Sequence, residues 1–285
     1  WPHNLMAGRL YAIVIRKELY GDIIPTIYDL QTKLYELGLM RELKYSKSEY
    51  DQIELMIDHS RDLNYAHYQI HQIYSKYSIQ DRVKNIKYET PQFTFMRMAM
   101  DLAEDEPNNK LEHVQKWYDH FSFGRINAPT PNYVNLGTHH KGYSSCCLYT
   151  VDDTAQSLAI GDHIAYTMTY MSSGIGSHLN TRSLGDPVRN GSFEHQGKLP
   201  YYKSLAGSVK ANLQAGRDGA CTTYYSCYDP EAEVIALLQN PRTPKDKQNR
   251  EIHFAVQFNK FFAKQVINNN DIFVFNKFTA PDLMQ

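Results

Sequence analysis

The sequence predicts an α/β protein in which a helical part precedes a part where strands and helices alternate. Three observations support this fold class. Residues 1–124 carry apolar side chains at helical spacing, punctuated by Gly and Pro. A Pro- and Gly-rich passage follows between Pro129 and Gly142. Beyond it, short apolar runs alternate with helical stretches, which favours parallel strands joined by crossover helices, in a sheet or part of a barrel.

Most helices predicted in the first part have a recognisable start or stop signal. A helix over residues 5–20 is expected to end at Gly21, and Pro25 to begin a second segment that ends at Gly38. Ser46 and Glu49 form a capping-box pattern for a third helix. The remaining signals are Thr90-Pro91 before residues 93–102 and Pro107 before a helix that reaches Gly124.

The second part predicts five strands alternating with four helices. Asp153 is expected to cap the first helix, Pro200 to begin the second, and Asp229-Pro230 to cap the third. The polar stretch 240–250 predicts an exposed loop. The strands are expected at residues 146–151, 175–179, 220–225, 252–257 and 272–275, and the helices at residues 153–171, 200–213, 230–238 and 259–267.

Composition excludes several classes of function. The chain has 30 Lys and Arg against 31 Asp and Glu, so its net charge is −1 and no excess positive field favours a nucleic-acid polymer or an anionic membrane. No apolar run reaches the roughly 20 residues that a membrane span requires. Four cysteines without a secretory signal predict a reducing, cytoplasmic compartment.

Hydroxyl and thiol side chains mark the start of the α/β part. Thr130 lies between Pro129 and Pro131, and Ser145 precedes Cys146 at the first predicted strand. Hydroxyls and backbone N–H groups commonly bind phosphate, and we expect these residues at the carboxyl ends of the strands, where parallel α/β proteins bind ligands. The alternative is that they are ordinary turn and strand-start residues.

Glycines and arginines form a second group of candidates. Gly174 and Gly176 predict a turn that allows positive φ or close approach of a ligand. Arg182 and Arg189 bracket a Gly-Asp-Pro turn and can face one polyphosphate, although a solvated loop explains them equally well. The glycine-hinged loop around Arg217 suits a mobile element.

The cysteines leave several roles open. Cys146 is a candidate nucleophile, redox thiol, metal ligand or buried small side chain. Cys221 and Cys227 are expected to face one side of a strand because their spacing is even. Zinc is disfavoured, since no Cys-x-x-Cys spacing accompanies His139 and His140. No metal site is predicted.

These motifs, in this order and spacing, resemble the large (α, catalytic) subunit of class I ribonucleotide reductase, of the bacterial and T4-like phage type. The resemblance covers nearly the whole chain. It implies an all-helical N-terminal domain at residues 1–124 and the first half of a ten-stranded α/β barrel at residues 125–285, without the family's N-terminal ATP cone. The motifs are Thr130 between prolines, Ser144-Ser145-Cys146, Gly174-Ile-Gly176, Arg182 to Arg189, Gln214 to Ala220, Arg61-Asp62 and Tyr88-Glu-Thr-Pro-Gln92.

The resemblance implies a role for each matching residue in the substrate site. A ribonucleoside diphosphate would be bound by Thr130, Ser145, Cys146 and Gly174. Cys146 would also be one of two thiols that become a disulfide as the substrate 2′-hydroxyl is reduced.

The resemblance also implies a site for a regulatory nucleoside triphosphate, namely dTTP, dGTP, dATP or ATP. Asp153 would accept a hydrogen bond from its deoxyribose, beside Thr154 and Ala155. Arg182 and Arg189 would bind its triphosphate. The specificity loop, with Gln214 and Arg217, would transmit the identity of the effector to the substrate site.

Parts of the family pattern are missing from this sequence, and they define the expected partners. No cysteine follows Cys227, so the radical-bearing cysteine, the second redox cysteine and the C-terminal Cys-x-x-Cys are absent. We expect a complementary C-terminal α fragment, as in a naturally split subunit, although truncation explains the pattern too. The other expected partners are a second copy of the chain through helix 153–171, a metal-containing β subunit that supplies the radical, and thioredoxin or glutaredoxin as reductant; the chain itself is expected to bind no cofactor.

Two rival functions remain open at this point. One is a fragment of a cobalamin-dependent, class II reductase, which shares the barrel. The other is a non-catalytic nucleotide sensor that retains effector binding without turnover. Product formation with the missing parts supplied distinguishes the enzyme from the sensor.

Overall fold

A computed structural model describes residues 2–214, 217–276, 278–280 and 282, without the side chains of residues 213, 214, 217 and 218. The chain divides into two compact units, Trp1–Ser144 and Ser145–Gln285. This division lies later in the chain than the predicted boundary after residue 124. The reason is that the intervening segment bonds to the helical unit: the Gly137 carbonyl accepts from the Arg41 N–H at 3.1 Å, and the Tyr133 carbonyl accepts from Arg97 Nη2 at 2.9 Å.

The first unit is built from helices with one small antiparallel hairpin. A 3₁₀ turn at His59–Asn64 and a π-helical turn at Ile73–Tyr77 flank the fourth helix. In chain order the elements are α1 (Pro2–Tyr20), α2 (Ile27–Glu36), α3 (Lys47–Glu54), α4 (His67–Gln72), β1 (Gln80–Asp81), β2 (Ile86–Lys87), α5 (Pro91–Ala103), α6 (Lys110–Ser122) and α7 (Thr130–Asn135).

Helix α5 forms the centre of the helical unit. Phe93, Met96 and Met100 have no exposed surface, because α5 is apolar around most of its circumference. Arg97 on the same helix is also fully buried, and its guanidinium pairs with Glu89 at 2.8 Å while donating to the carbonyls of Tyr133 and Leu136. A buried charge needs such partners, and the two bonds from Arg97 to backbone carbonyls hold α7 against α5.

The helix signals of the first unit are confirmed in large part. α1 ends before Gly21, whose φ is +67°, and Ser46 and Glu49 form the predicted capping box of α3. Pro107 does not begin a helix, and this prediction was wrong. α6 begins three residues later at Lys110, after Asn109 in a left-handed conformation.

The second unit contains a four-stranded sheet whose neighbouring strands are all parallel, in the order β10-β9-β4-β3. Two small antiparallel hairpins, β5–β6 and β7–β8, interrupt the connections between the sheet strands. In chain order the elements are β3 (Cys146–Val151), α8 (Ala155–Tyr170), β4 (Gly174–Leu179), β5 (Pro187–Val188), β6 (Phe193–Glu194), α9 (Leu199–Lys210), β7 (Leu213–Gln214), β8 (Arg217–Asp218), β9 (Cys221–Ser226), α10 (Ala232–Ala236), β10 (His253–Gln257) and α11 (Lys260–Ile267).

One face of this sheet forms the core of the second unit. Val151, Ile175 and Tyr225 are buried on it, in one cluster with Ala165 of α8 and Val209 of α9. The opposite face is open at its β3 edge, where Leu148 is 78% exposed. Parallel sheets are normally covered on both faces, so the open face is suited to a further layer of protein.

Two predicted elements near the end of the second part differ from the structure, and these predictions were wrong. Residues 272–275 form no strand; Phe273 is largely exposed, and the run bonds to the rest of the unit through the Phe275 N–H, which donates to the Tyr228 carbonyl at 2.8 Å. The third helix is shorter than expected at both ends, because Glu231 rather than Asp229 is its N-cap residue and the helix ends at Ala236. Within the described residues, no helix combines the length and apolar character needed to cross a membrane.

Candidate functional site

Two neighbouring strands bring a thiol, a hydroxyl and a glycine together at one edge of the sheet. Cys146 is the first residue of β3 and is in register with Gly174, the first residue of β4. The Gly174 N–H donates to the Ser145 carbonyl at 2.8 Å, and the Ser145 hydroxyl lies 3.5 Å from Cys146 Sγ. Three of the four predicted substrate residues are therefore adjacent.

This group lies at the amino edge of the parallel strands, so the prediction of a carboxyl-edge location was wrong for it. The prediction of a Gly174-Ile-Gly176 turn was also wrong, because the chain reverses earlier, at Ser172 with φ +68°, and both glycines belong to β4. Gly176 instead permits a close approach. A Cβ at this position would lie 2.3 Å from Leu148 Cδ2.

The four cysteines differ in their access to solvent. Cys146 is exposed, Cys147 is half-buried, and Cys221 and Cys227 are buried. Burial raises the pKa of the Cys221 thiol to about 11 and also raises the pKa of Cys227. Thiolate chemistry requires ionisation and access, so Cys146 is the cysteine best placed for it. Cys227 lies beyond the end of β9, and the prediction that it shares a strand with Cys221 was wrong.

Asp153 and Arg182 meet at the opposite, carboxyl edge of the sheet. Asp153 Oδ2 lies 2.8 Å from Arg182 Nε, and Asp153 Oδ1 accepts from the Arg182 backbone N–H at 3.0 Å. Arg182 Nη1 also donates to the Pro187 carbonyl at 2.7 Å. The two side chains predicted to contact one effector thus bind each other here.

Thr154, rather than Asp153, caps helix α8. The Thr154 hydroxyl accepts from the Ser157 N–H at 3.1 Å, and Ala155 is the first helical residue. The capping role predicted for Asp153 was wrong because its carboxylate is bound to Arg182. The N-terminus of a helix favours negative charge, so the three consecutive residues lie where an anionic ligand gains from the helix dipole.

Arg182 and Arg189 belong to one hairpin, which we call the arginine hairpin (residues 182–198). Arg182 lies at its base. Arg189 lies at its tip, where Arg189, Asn190 and Gly191 have φ values of +50°, +57° and +83°. The Arg189 guanidinium carbon is 5.5 Å from the centre of the Phe193 ring. Strands β5 and β6 pair between these two positions.

Thr130, Gln214 and Arg217 are the remaining predicted site residues. Thr130 is the first residue of α7 in the helical unit, and its hydroxyl lies 3.3 Å from the Tyr77 hydroxyl. Gln214 and Arg217 are register partners in the β7–β8 hairpin, but their side chains lie outside the described part of the chain, as do Ala215 and Gly216. In the part of the chain that the structure describes, no group of three or more His, Cys, Asp or Glu residues could hold a metal ion.

Sequence reasoning missed a polar network behind the arginine hairpin. Lys198 is buried and pairs with Asp229, which also accepts from the Ser183 hydroxyl at 3.3 Å. Asn276 Nδ2 donates to Asp186 at 2.5 Å. The only sequence signal was Asp229-Pro230, which has the form of a helix cap.

A cavity of about 480 Å³ lies at the carboxyl ends of β4, β9 and β10, next to this network. Lys198, Asp229 and Asn276 line it together with Thr181, the residue before Arg182. The cavity is therefore contiguous with the base of the arginine hairpin.

Comparison with known protein families identifies both units. Residues 63–141 match the model of the ribonucleotide reductase all-alpha domain, and residues 144–284 match the model of the ribonucleotide reductase barrel domain. The chain belongs to the ribonucleotide reductase large-subunit family. The predicted fold class, a helical part followed by part of an α/β barrel, is confirmed by these matches together with the parallel sheet.

Curated members of this ribonucleotide reductase family align with almost the whole chain. The ribonucleoside-diphosphate reductase subunit alpha of Buchnera aphidicola is 32% identical over 99% of the chain. The ribonucleoside-diphosphate reductase 1 subunit alpha of Escherichia coli K12 is 31% identical over 99% of the chain. The subunit alpha of Enterobacteria phage T4 is 30% identical over 96%. The chain spans 38% of the length of the two bacterial proteins and 37% of the phage protein.

Proposed function

We propose that this chain is the part of a ribonucleoside-diphosphate reductase α subunit that supplies a substrate phosphate site, one redox thiol and the effector specificity site. The observation that carries the proposal is the amino edge of the sheet. There an exposed thiol, Cys146, adjoins the Ser145 hydroxyl and the start of β4 at Gly174. This group faces the open side of a sheet in a barrel-family unit.

The proposed reaction converts a ribonucleoside diphosphate and two thiols into a deoxyribonucleoside diphosphate, a disulfide and water. The two thiols lose two electrons and two protons as the sulfur–sulfur bond forms, and the 2′-hydroxyl leaves as water. Cys146 is proposed as one thiol, exposed at the strand start where the substrate ribose would lie. Ser145 and the Gly174 backbone are proposed to bind the diphosphate, and the family pattern assigns the same role to Thr130.

The proposed reaction requires components that this chain does not supply. The second thiol and the radical cysteine would come from a complementary C-terminal α fragment, and the radical itself from a metal-containing β subunit. Thioredoxin or glutaredoxin would reduce the disulfide, in the cytoplasm of a bacterial or phage-infected cell. The open face of the sheet supports the complementary fragment, because a parallel sheet gains stability when both faces are covered.

The effector site is proposed at the carboxyl edge. Asp153, Thr154 and Ala155 at the N-terminus of α8 would bind the deoxyribose side of a nucleoside triphosphate, and Arg182 and Arg189 its phosphates. Because Asp153 and Arg182 bind each other, the effector must replace their ion pair with its own contacts. Gln214 and Arg217 are proposed to report the effector to the substrate site.

The test is reconstitution of the reductase. The chain is mixed with a C-terminal α fragment, a β subunit and thioredoxin, and deoxynucleotide product is measured for the wild type and for Cys146→Ser. We expect product from the wild type and a loss of at least about 10³-fold in Cys146→Ser, because a hydroxyl does not form the disulfide. dTTP binding should be the same in both proteins.

Cys147→Ser is the matched control, since its half-buried thiol is on the other face of the same strand. It should retain turnover. Equal activity of Cys146→Ser and wild type would remove Cys146 from the mechanism. Tight dTTP binding without product under any pairing would favour the nucleotide sensor instead.

A further inference from the structure

We propose that Glu231 is a positioning residue for the effector site, because its carboxylate closes the base of the arginine hairpin. This inference rests on the proposed role of Arg182 and Arg189 in binding a nucleoside triphosphate. Glu231 is the N-cap residue of α10 and comes from the connection after β9, so it belongs to neither the hairpin nor α8.

Glu231 bonds to both ends of the arginine hairpin. Its Oε2 atom accepts from the Leu184 N–H at 3.0 Å, near the beginning of the hairpin. Its Oε1 atom accepts from the Lys198 N–H at 3.2 Å, at the end of the hairpin. One carboxylate therefore joins two backbone positions that are far apart in the chain, through hydrogen bonds strengthened by its charge.

The local backbone leaves space for the Glu231 carboxylate between these two N–H groups. Gly197 has φ +83°, and a Cβ on it would lie 2.7 Å from Glu231 Oε1. A side chain at residue 197 would therefore displace the carboxylate. Asp229 supports Glu231 from its own loop, because Asp229 Oδ1 accepts from the Glu231 N–H at 2.9 Å.

Two acidic residues from different elements therefore hold the chain segment from Arg182 to Leu184. Asp153 binds its guanidinium and its N–H, and Glu231 binds the N–H of Leu184 two residues later. A triphosphate needs the two guanidiniums of Arg182 and Arg189 at a fixed spacing, and loss of order in a supporting residue weakens such a site. Without Glu231, the Leu184 and Lys198 N–H groups lose their acceptor and the base of the hairpin can open.

The direction in which nucleotide affinity changes when Glu231 is removed distinguishes a positioning role from a purely electrostatic one. Glu231 is negatively charged, so its direct influence on a bound triphosphate is repulsive. If Glu231 acted only through its charge, its removal would tighten nucleotide binding. If it positions the hairpin, its removal weakens binding.

The experiment measures binding of radiolabelled dTTP to the full chain by equilibrium dialysis. We expect Glu231→Ala to raise the dissociation constant about tenfold, as befits the loss of ordered contacts. Glu231→Gln should be intermediate, since its amide oxygen accepts from only one of the two N–H groups. Glu233→Ala is the matched control, because Glu233 lies on the same helix with an exposed side chain, and its dissociation constant should not change.

Amide hydrogen exchange in the nucleotide-free chain gives a second measurement. The Leu184 and Lys198 amides should exchange faster in Glu231→Gln than in wild type, whereas Glu233→Ala should match wild type. If the wild type does not bind dTTP, the proposed effector site fails and this inference with it. If the wild type binds dTTP and both Glu231 variants bind equally well or more tightly, the positioning role alone is overturned.

Discussion

Burial determines the chemistry of several single side chains, and Asp62 in the helical unit is the clearest case. Its carboxyl group is buried and accepts a hydrogen bond from Gln92 Nε2 at 2.8 Å. Loss of solvation raises the pKa of Asp62 to about 7. The hydroxyls of Tyr118 and Ser122 both donate to Gln92 Oε1 at 2.7 Å, which fixes the orientation of the amide toward the acid.

This pKa shift predicts a pH-dependent stability. An unfolded Asp has a pKa of about 3.9, so between about pH 4 and pH 7 the folded state holds a proton that the unfolded state has released. Asp62 should therefore lower the free energy of unfolding as the pH rises through that range. Asp62→Asn keeps an acceptor for Gln92 and removes the titration. Its stability relative to wild type should rise by more than about 1.4 kcal/mol between pH 4 and pH 8.

Urea unfolding of the full chain across this pH range measures the difference. Burial lowers the pKa of the neighbouring His59 to about 4, but this histidine is present in both proteins and cancels in the comparison. Asp51→Asn is the control, because Asp51 is an exposed acid on α3 paired with Lys47. A difference between Asp62→Asn and wild type that stays constant with pH would contradict the prediction.

Among the elements, those with a strong periodic pattern could be predicted from sequence, and those without one could not. The strand at residues 146–151 alternates between exposed and less exposed positions and is found as predicted. The apolar run 272–275 has the composition of a strand, but no neighbouring strand pairs with it in the described residues. The strands of the hairpins β5–β6 and β7–β8 have two residues each, which is too short to show an alternation of apolar and polar side chains.

In the candidate site too, some groupings of residues could be predicted from the sequence and others could not. The family resemblance groups Cys146, Ser145 and Gly174 in one substrate site, and the register of β3 and β4 brings them together. The resemblance also places Asp153 and Arg182 at one effector site, but it does not predict their direct ion pair, since 29 residues separate them and only the sheet brings them together. Glu231 carries no local signal, because its function depends on backbone N–H groups of another segment.

Helix α8 packs so closely on the sheet that its glycine, Gly161, is required. A Cβ at Gly161 would lie 2.4 Å from Val151 Cγ1 and 3.3 Å from Tyr149 Cε2. The branched Val151 side chain is stiff, so it cannot easily move aside. Gly161→Ala should therefore destabilise the protein by about 1–3 kcal/mol, although Ala is the better helix former.

Gly207 in α9 is the matched control for Gly161. A Cβ at Gly207 has no atom within 4 Å, so Gly207→Ala should stabilise the protein by about 0.5–1 kcal/mol. Thermal unfolding measures both effects: the melting temperature should fall in Gly161→Ala and rise in Gly207→Ala. If Gly161→Ala is stabilising as well, helix propensity outweighs the contact with Val151 and α8 is less tightly packed than the distances indicate.

At the scale of the whole molecule, α8 has two distinct faces. Gly161, Ala165 and Thr169 are buried, at a spacing of four residues. Ile160 and Tyr166 lie on the outer side with 57% and 49% of their surface exposed. These large side chains are exposed on a helix that already packs against the sheet, and exposed apolar surface of this kind is typical of an interaction site.

We expect this outer face of α8 to join two copies of the chain, because the family resemblance implies a second copy that binds through helix 153–171. Isologous contact would bring the outer faces of the two α8 helices together and bury Ile160 and Tyr166. The double variant Ile160→Asp, Tyr166→Asp places charges in that contact, so its self-association should be at least about tenfold weaker, which corresponds to about 1.4 kcal/mol. Sedimentation equilibrium at increasing concentrations of the full chain measures this self-association constant.

Leu55→Asp, at an 87% exposed position in the helical unit, is the control and should associate like wild type. Because the proposed effector site begins at the N-terminus of this same helix, dTTP should be present in the measurement. A wild-type chain that stays monomeric with dTTP would show that α8 does not mediate dimerisation.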